Sequence, residues 1–193
     1  AAQNNALSAY QGAYNTANGV VLNTVDLFYR NPTGIYPSLN ISSQGNAEAL
    51  REARTNLNSV LEVWRIKANT TDVNVELETK LAEAETDIAS VISIVDLLTN
   101  SVSRADKSDN LNGQPVSSFS AQLIAARGSL TTLANSLQNA QTAIDNSTRA
   151  LVQAELAAAG STNSAADAQV KQALGSLRSA QATLAKTIIR TPL

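Results

Sequence analysis

The sequence predicts an all-α fold: an elongated antiparallel four-helix bundle followed by a coiled-coil hairpin helix. Three observations predict it. Apolar residues recur at spacings of three and four along nearly all of the 193 residues, which gathers side chains on one face of a 3.6-residue helix. Punctuation at Asn31-Pro32, Asn112-Gly113 with Pro115, and Gly160 leaves segments of helix length between breaks. No stretch alternates apolar and polar residues for long enough to read as a strand, except the last residues after Lys186. The expected organisation is a bundle over 1–158, with helices at about 5–30, 46–68, 72–104 and 118–158, and then a helix at 164–189.

The first segment carries Tyr10, Ala13, Ala17, Val20, Thr24 and Leu27 on one face and stops at Asn31-Pro32, because proline cannot continue a helix. Residues 31–45 hold two prolines and two glycines without a period and read as a loop. Asn46 is placed to cap the second helix, Glu48 lies in its positive first turn, and Leu50, Ala53, Leu57, Leu61 and Trp64 form its inner face. Stepping on from Leu50 by threes and fours misses the next seam, Leu77, Leu81, Ala84, Ile88, Val91, Val95, Leu98 and Val102. That phase break favours a turn near Asn69 over a bent continuous helix. After the polar loop 108–115, the fourth seam runs through Leu123, Ala126, Leu130, Leu133, Leu137, Ala140, Ile144, Ser147, Leu151, Ala154 and Ala158. Ser164-Ala165-Ala166-Asp167 has the outline of a capping box for a fifth segment. Its seam is Val170, Leu174, Leu177, Leu184 and Ile188, and β-branched Thr187, Ile188, Ile189 and Thr191 before Pro192 predict that the helix gives way to a strand.

Composition narrows the function classes. Hydrophobic residues make up 44% of the chain, enough to fold, and charged residues only 16%, their place taken by Asn, Gln, Ser and Thr. A net charge of -2 and no basic stripe give no reason to approach a phosphate backbone, so no nucleic-acid partner is expected. Cysteine, histidine and methionine are all absent, which removes disulfides, thiol chemistry and imidazole catalysis. The most apolar run, 91–98, is interrupted by Ser93 and Asp96 and is far short of a bilayer span.

Candidate chemistry is sparse. Glu76, Glu78, Glu83, Glu85 and Asp87 form an acidic run, but neighbours one or two apart do not face each other on a helix, so a solvated face is expected and no metal. Asp106, Asp109, Asn110, Asn112 and Gly113 lack calcium-loop spacing. Without histidine a serine nucleophile would need a lysine or carboxylate base, and none is placed for it. No enzyme and no cofactor are therefore predicted. Trp64, the only tryptophan, reads first as a core residue; the sharper reading lets Tyr29, Tyr36 and Trp64 line a pocket for a ligand or partner between helices.

The run from Gln172 to Pro192, QALGSLRSAQATLAKTIIRTP, resembles the descending hairpin helix of periplasmic adaptor subunits, the membrane fusion proteins. In that family an Ala/Gln/Leu-rich helix ends in a similar Ile-Arg-x-Pro and enters the second half of a lipoyl-like β-barrel. Ala159-Gly160-Ser161-Thr162 is similar to a helix break found upstream of it, although Asn163-Ser164 stands where Pro-Glu is common. The resemblance implies a non-enzymatic domain, periplasmic or extracellular, anchored to the membrane only through a longer parent. It would link an inner-membrane transporter to outer components and self-assemble through coiled-coil faces. An adaptor hairpin needs an even number of helix passes. Five predicted segments are odd, so either Gly160 is a bend or the partner of the last helix precedes Ala1, the latter being favoured. The alternative is an extracytoplasmic four-helix sensory bundle binding a small ligand, for which the chain should run on into a transmembrane helix.

Overall fold

The computed structural model describes residues 2–41, 46–71, 77–105, 110–111 and 113–187, with backbone alone at 110, 161–163 and 185–187. The predicted strand exit Ile188 to Pro192, Glu76, and Asp106, Asp109 and Asn112 lie outside the described residues. Four α-helices carry the all-α fold: α1 (Ala2–Val20), α2 (Ala47–Thr70), α3 (Leu77–Arg104) and α4 (Ser120–Thr187). The chain divides into two compact units, Ala1–Asp145 and Asn146–Leu193, so the division falls at 145 instead of 158.

In the first unit most predicted seam residues are buried, while Val20, Leu27, Ala53, Leu133 and Ala140 are half-buried at its margin. Ala6, Tyr10, Ala13 and Ala17 of α1 are sealed, and three alanines on one face let α1 approach α2 and α3 closely. The α3 seam is buried from Leu77 to Val102, with Ile94 and Ser101 added. Successive helices run antiparallel. Gln11 Nε2 donates to the Ala68 carbonyl near the α2 C-terminus at 3.2 Å, Lys67 meets Glu83 near the start of α3 at 2.9 Å, and Arg127 of α4 meets Asp96 of α3 at 2.7 Å. Leu123, Leu130, Leu137 and Ile144 carry the first stretch of α4 into the same core.

Local details depart from the periodic reading. The first helix is α-helical only to Val20; a π turn (Val21–Val25) and a 3₁₀ turn (Asp26–Phe28) follow. That change of winding buries Val21, Thr24, Val25 and Phe28 together. The loop after it holds a two-residue ladder, β1 (Tyr29–Arg30) against β2 (Ser38–Leu39), and β3 (Asn110–Leu111) pairs with β4 (Gln114–Pro115). Asn31 has φ of 53° and accepts from Gly34 N–H at 3.0 Å; a Cβ at Gly34 would require the exposed Asn31 side chain to turn aside. Asn46 accepts the first helical bond through its backbone but makes no side-chain cap. α2 ends at Thr70 with Thr71 extended, and α3 packs against α2, so these are two helices and not one bent helix.

The largest difference is at Gly160. The expected break is absent: α4 is one helix from Ser120 to Thr187, and Ser164 to Asp167 lie inside it. A single glycine costs about 1 kcal/mol in a helix interior. Ala157, Ala158 and Ala159 before it and Ala165 and Ala166 after it, with no proline between, favour continuation.

Candidate functional site

The three aromatic residues of the pocket reading are not brought together. Trp64 is fully buried and meets the Tyr14 ring edge-to-face at 5.8 Å and 74°. Its indole N–H has no hydrogen-bond acceptor among the described residues. Tyr29 is buried beside Leu50, donating from its hydroxyl to the Leu50 carbonyl at 2.8 Å, and burial pushes its phenol well above the ordinary tyrosine range. Leu50 and Trp64 are both on α2, roughly 20 Å apart along its axis. Tyr36 is 81% exposed. Trp64 and Tyr29 are thus separate core anchors, and Tyr36 belongs to the loop surface.

Beside Tyr29 lies a polar network the periodic reading missed. Arg54 is 1% exposed; its Nε donates to Asp26 Oδ1 at 2.7 Å and Nη1 to Asn58 Oδ1 at 2.6 Å, while Asn58 Nδ2 donates to the Pro32 carbonyl at 3.3 Å. A buried guanidinium is tolerable only when paired and hydrogen-bonded, and here those bonds tie the 3₁₀ turn and proline loop to α2. The signal was available: Arg54 is four residues after Leu50 and three before Leu57, on the seam itself. Ala53, which stood in its place, is only half-buried.

A second polar group sits between α2 and α3. Glu83 accepts from Lys67 at 2.9 Å and Lys80 at 3.0 Å, and these bonds hold its carboxyl below the usual carboxylate range. Asp87, one turn on, is half-buried; lost hydration raises its pKa, Lys67 opposes that, and Glu83 adds to it. Burial, with the charges of Glu83 and Asp87, pushes the Tyr10 phenol up to about 12. Lys67, Glu83 and Asp87 border an open groove of about 390 Å³ walled by Val60 and Val63. The Lys67 ammonium bonds Glu83 across the groove and so stitches α2 to α3.

The predicted seam residues Val170, Leu174, Leu177 and Leu184 all belong to α4 and are exposed, at 58%, 48%, 54% and 66%. Indeed every described side chain of 146–184 is exposed. Continuity through Gly160 reveals a longer repeat than the sequence reading recognised. Leu156, Asn163, Val170, Leu177 and Leu184 recur every seven residues, and Ala159, Ala166, Ala173 and Ala180 follow the first four of them by three. These are the a and d positions of a coiled coil, large at a and alanine at d. The expected break at Gly160 had concealed the repeat by ending one seam and starting another. The large described side chains of this stripe, Leu156, Val170, Leu177 and Leu184, are all exposed. No protein-family model, no curated protein and no solved structure matches this chain.

Proposed function

We propose that the chain is a non-enzymatic helical domain of a periplasmic adaptor, a membrane fusion protein that links an inner-membrane transporter to outer components in export or efflux. The observation that carries this reading is α4, 68 residues of unbroken helix with a seven-residue repeat from Leu156 to Leu184 whose described side chains are exposed. A helix of that kind gains its stability by packing along its length against other helices, which is the work of an adaptor hairpin arm. The helix count adds support. With Gly160 inside α4 there are four helices among the described residues, an even number, as a hairpin that returns to its starting domain requires.

The sensory alternative finds less support in the bundle, because Trp64 and Tyr29 are core residues and Tyr29 is tied to Leu50, roughly 20 Å from Trp64 along α2. Sequencing the parent gene on both sides of this segment tests the adaptor reading. Halves of a lipoyl-like barrel encoded before Ala1 and directly after Leu193 are expected. An apolar segment of about 20 residues after Leu193, with no barrel halves, would overturn the proposal in favour of a sensor.

A further inference from the structure

We infer that the trough between α2 and α3 binds an amphiphilic primary ammonium ion, its nitrogen donating to Asp87 and its alkyl chain lying over Leu57, Val60 and Ala89. The site stands on the first unit alone and does not depend on the adaptor assignment. Two grooves, of about 390 and 430 Å³, share Val60 and Thr86 and so run on as one trough along the helix pair. From Glu83 to Ser93 it extends roughly 15 Å. The bond from Lys67 to Glu83 at 2.9 Å marks one end. Beyond Asp87 the lining turns apolar at Ala53, Leu57, Val60 and Ala89, and the second groove holds no charged residue.

Asp87 is the uncommitted group in this trough. It is half-buried, and it accepts no hydrogen bond among the described residues. The donors around it serve other acceptors. Lys67 and Lys80 both donate to Glu83, at 2.9 and 3.0 Å. Thr86 Oγ1 donates to the Ala82 carbonyl at 3.1 Å and Ser90 Oγ to the Thr86 carbonyl at 3.2 Å, both within α3. Lost hydration raises the Asp87 pKa, so the ionised carboxylate works against the fold where it stands. A residue that costs stability beside a cavity is characteristic of a functional site.

The chemistry missing at Asp87 selects the ligand. A carboxylate short of donors is satisfied by a cation that carries N–H groups. An anion would meet the carboxylates of Glu83 and Asp87 with both lysines already bonded. A bare metal ion would need several further oxygen ligands, and Glu83 is committed to its lysines. The apolar lining beyond Asp87 adds the second requirement, an alkyl chain that leaves water as the nitrogen binds.

Octylammonium is the probe, titrated into the unchanged chain and followed through the methyl resonances of Val60 and Val63, with octyltrimethylammonium, octanol and octanoate as comparisons. Saturable binding of octylammonium is expected, with the other three weaker by roughly tenfold or more. Asp87→Asn should weaken octylammonium by roughly the same factor. That variant is expected to be more stable than the unchanged chain at neutral pH, so its loss of binding is not loss of fold. Ala89→Phe, at an exposed position, fills the trough and should abolish binding with Asp87 in place. No saturable binding, equal affinity for any of the three comparison compounds, or unchanged affinity in either variant would overturn the inference.

Discussion

Leu137 and Leu177 are carried by the same helix, α4, and meet opposite surroundings. Leu137 is fully buried in the core of the first unit, together with Leu123, Leu130 and Ile144, while Leu177 is 54% exposed. The two stretches draw on the same residues, chiefly Ala, Leu, Gln, Ser and Thr, and both show three-four spacing. Periodicity therefore establishes that a helix has an apolar face; what covers that face is a separate fact. The covered stretch is fixed by neighbours at many points, for instance Arg127 on Asp96 at 2.7 Å. In the exposed stretch Ser176 Oγ donates to the Gln172 carbonyl at 3.1 Å and Thr183 Oγ1 to the Ser179 carbonyl at 3.0 Å, bonds that stay within its own helix.

The contrast is broken most severely from the covered side. Arg54→Ala removes a buried guanidinium and leaves Asp26 without its ion-pair partner, and is expected to cost the first unit about 3–5 kcal/mol. Urea unfolding followed by Trp64 fluorescence measures it. A loss below about 1 kcal/mol would mean that Arg54 behaves as an exposed pair. The matched leucines come next. Leu137→Ala should cost about 2–5 kcal/mol by leaving a cavity, whereas Leu177→Ala should leave Trp64-monitored unfolding of the monomer unchanged within about 0.5 kcal/mol. Equal losses at the two positions would abolish the distinction drawn between the stretches.

These positions also show what the sequence could tell. Seams on α1 and α3 were legible because alanine and leucine face a core that follows the 3.6-residue period. Arg54 was missed because charge was allowed to outweigh position: its place between Leu50 and Leu57 already put it inside. The π and 3₁₀ turns at 21–28 could not be read, since their winding depends on the fit of Phe28 against Phe119, a contact 91 residues apart in sequence whose rings lie 5.7 Å from each other. At Gly160 a local signal was given more weight than the alanines on either side. The pocket reading of Tyr29 and Trp64 failed for a geometric reason: residues that share a helix are separated by its rise.

Glycine substitutions sharpen the comparison at a smaller scale. Gly128 in the covered stretch and Gly160 and Gly175 in the exposed one are helical, and a Cβ would meet nothing within 4 Å at any of them. Gly128→Ala should raise the stability of the first unit by about 0.5–1 kcal/mol. Gly160→Ala with Gly175→Ala should increase helical circular dichroism and leave the Trp64 transition where it was. Movement of that transition would show that 146–187 unfolds as one with the bundle.

The smallest expected effect separates two carboxylates four residues apart on α3. Glu83 has its pKa lowered by bonds to Lys67 and Lys80, so its contribution to stability is present above the ordinary Glu range and is lost as pH falls through its lower folded value. Asp87 has its pKa raised by lost hydration, so it has the opposite sign: the fold is favoured while Asp87 is protonated, and that advantage is lost as pH rises through the raised value. Asp87→Asn should therefore stabilise the first unit at neutral pH, by about 0.5 kcal/mol after allowance for solvent screening at a half-exposed site. The gain should vanish below the ordinary Asp range. Glu83→Gln should destabilise at neutral pH and become neutral in acid. Urea midpoints at the two pH values read both effects. A destabilised Asp87→Asn at neutral pH would show that the ionised carboxylate makes a favourable contact that outweighs its lost hydration.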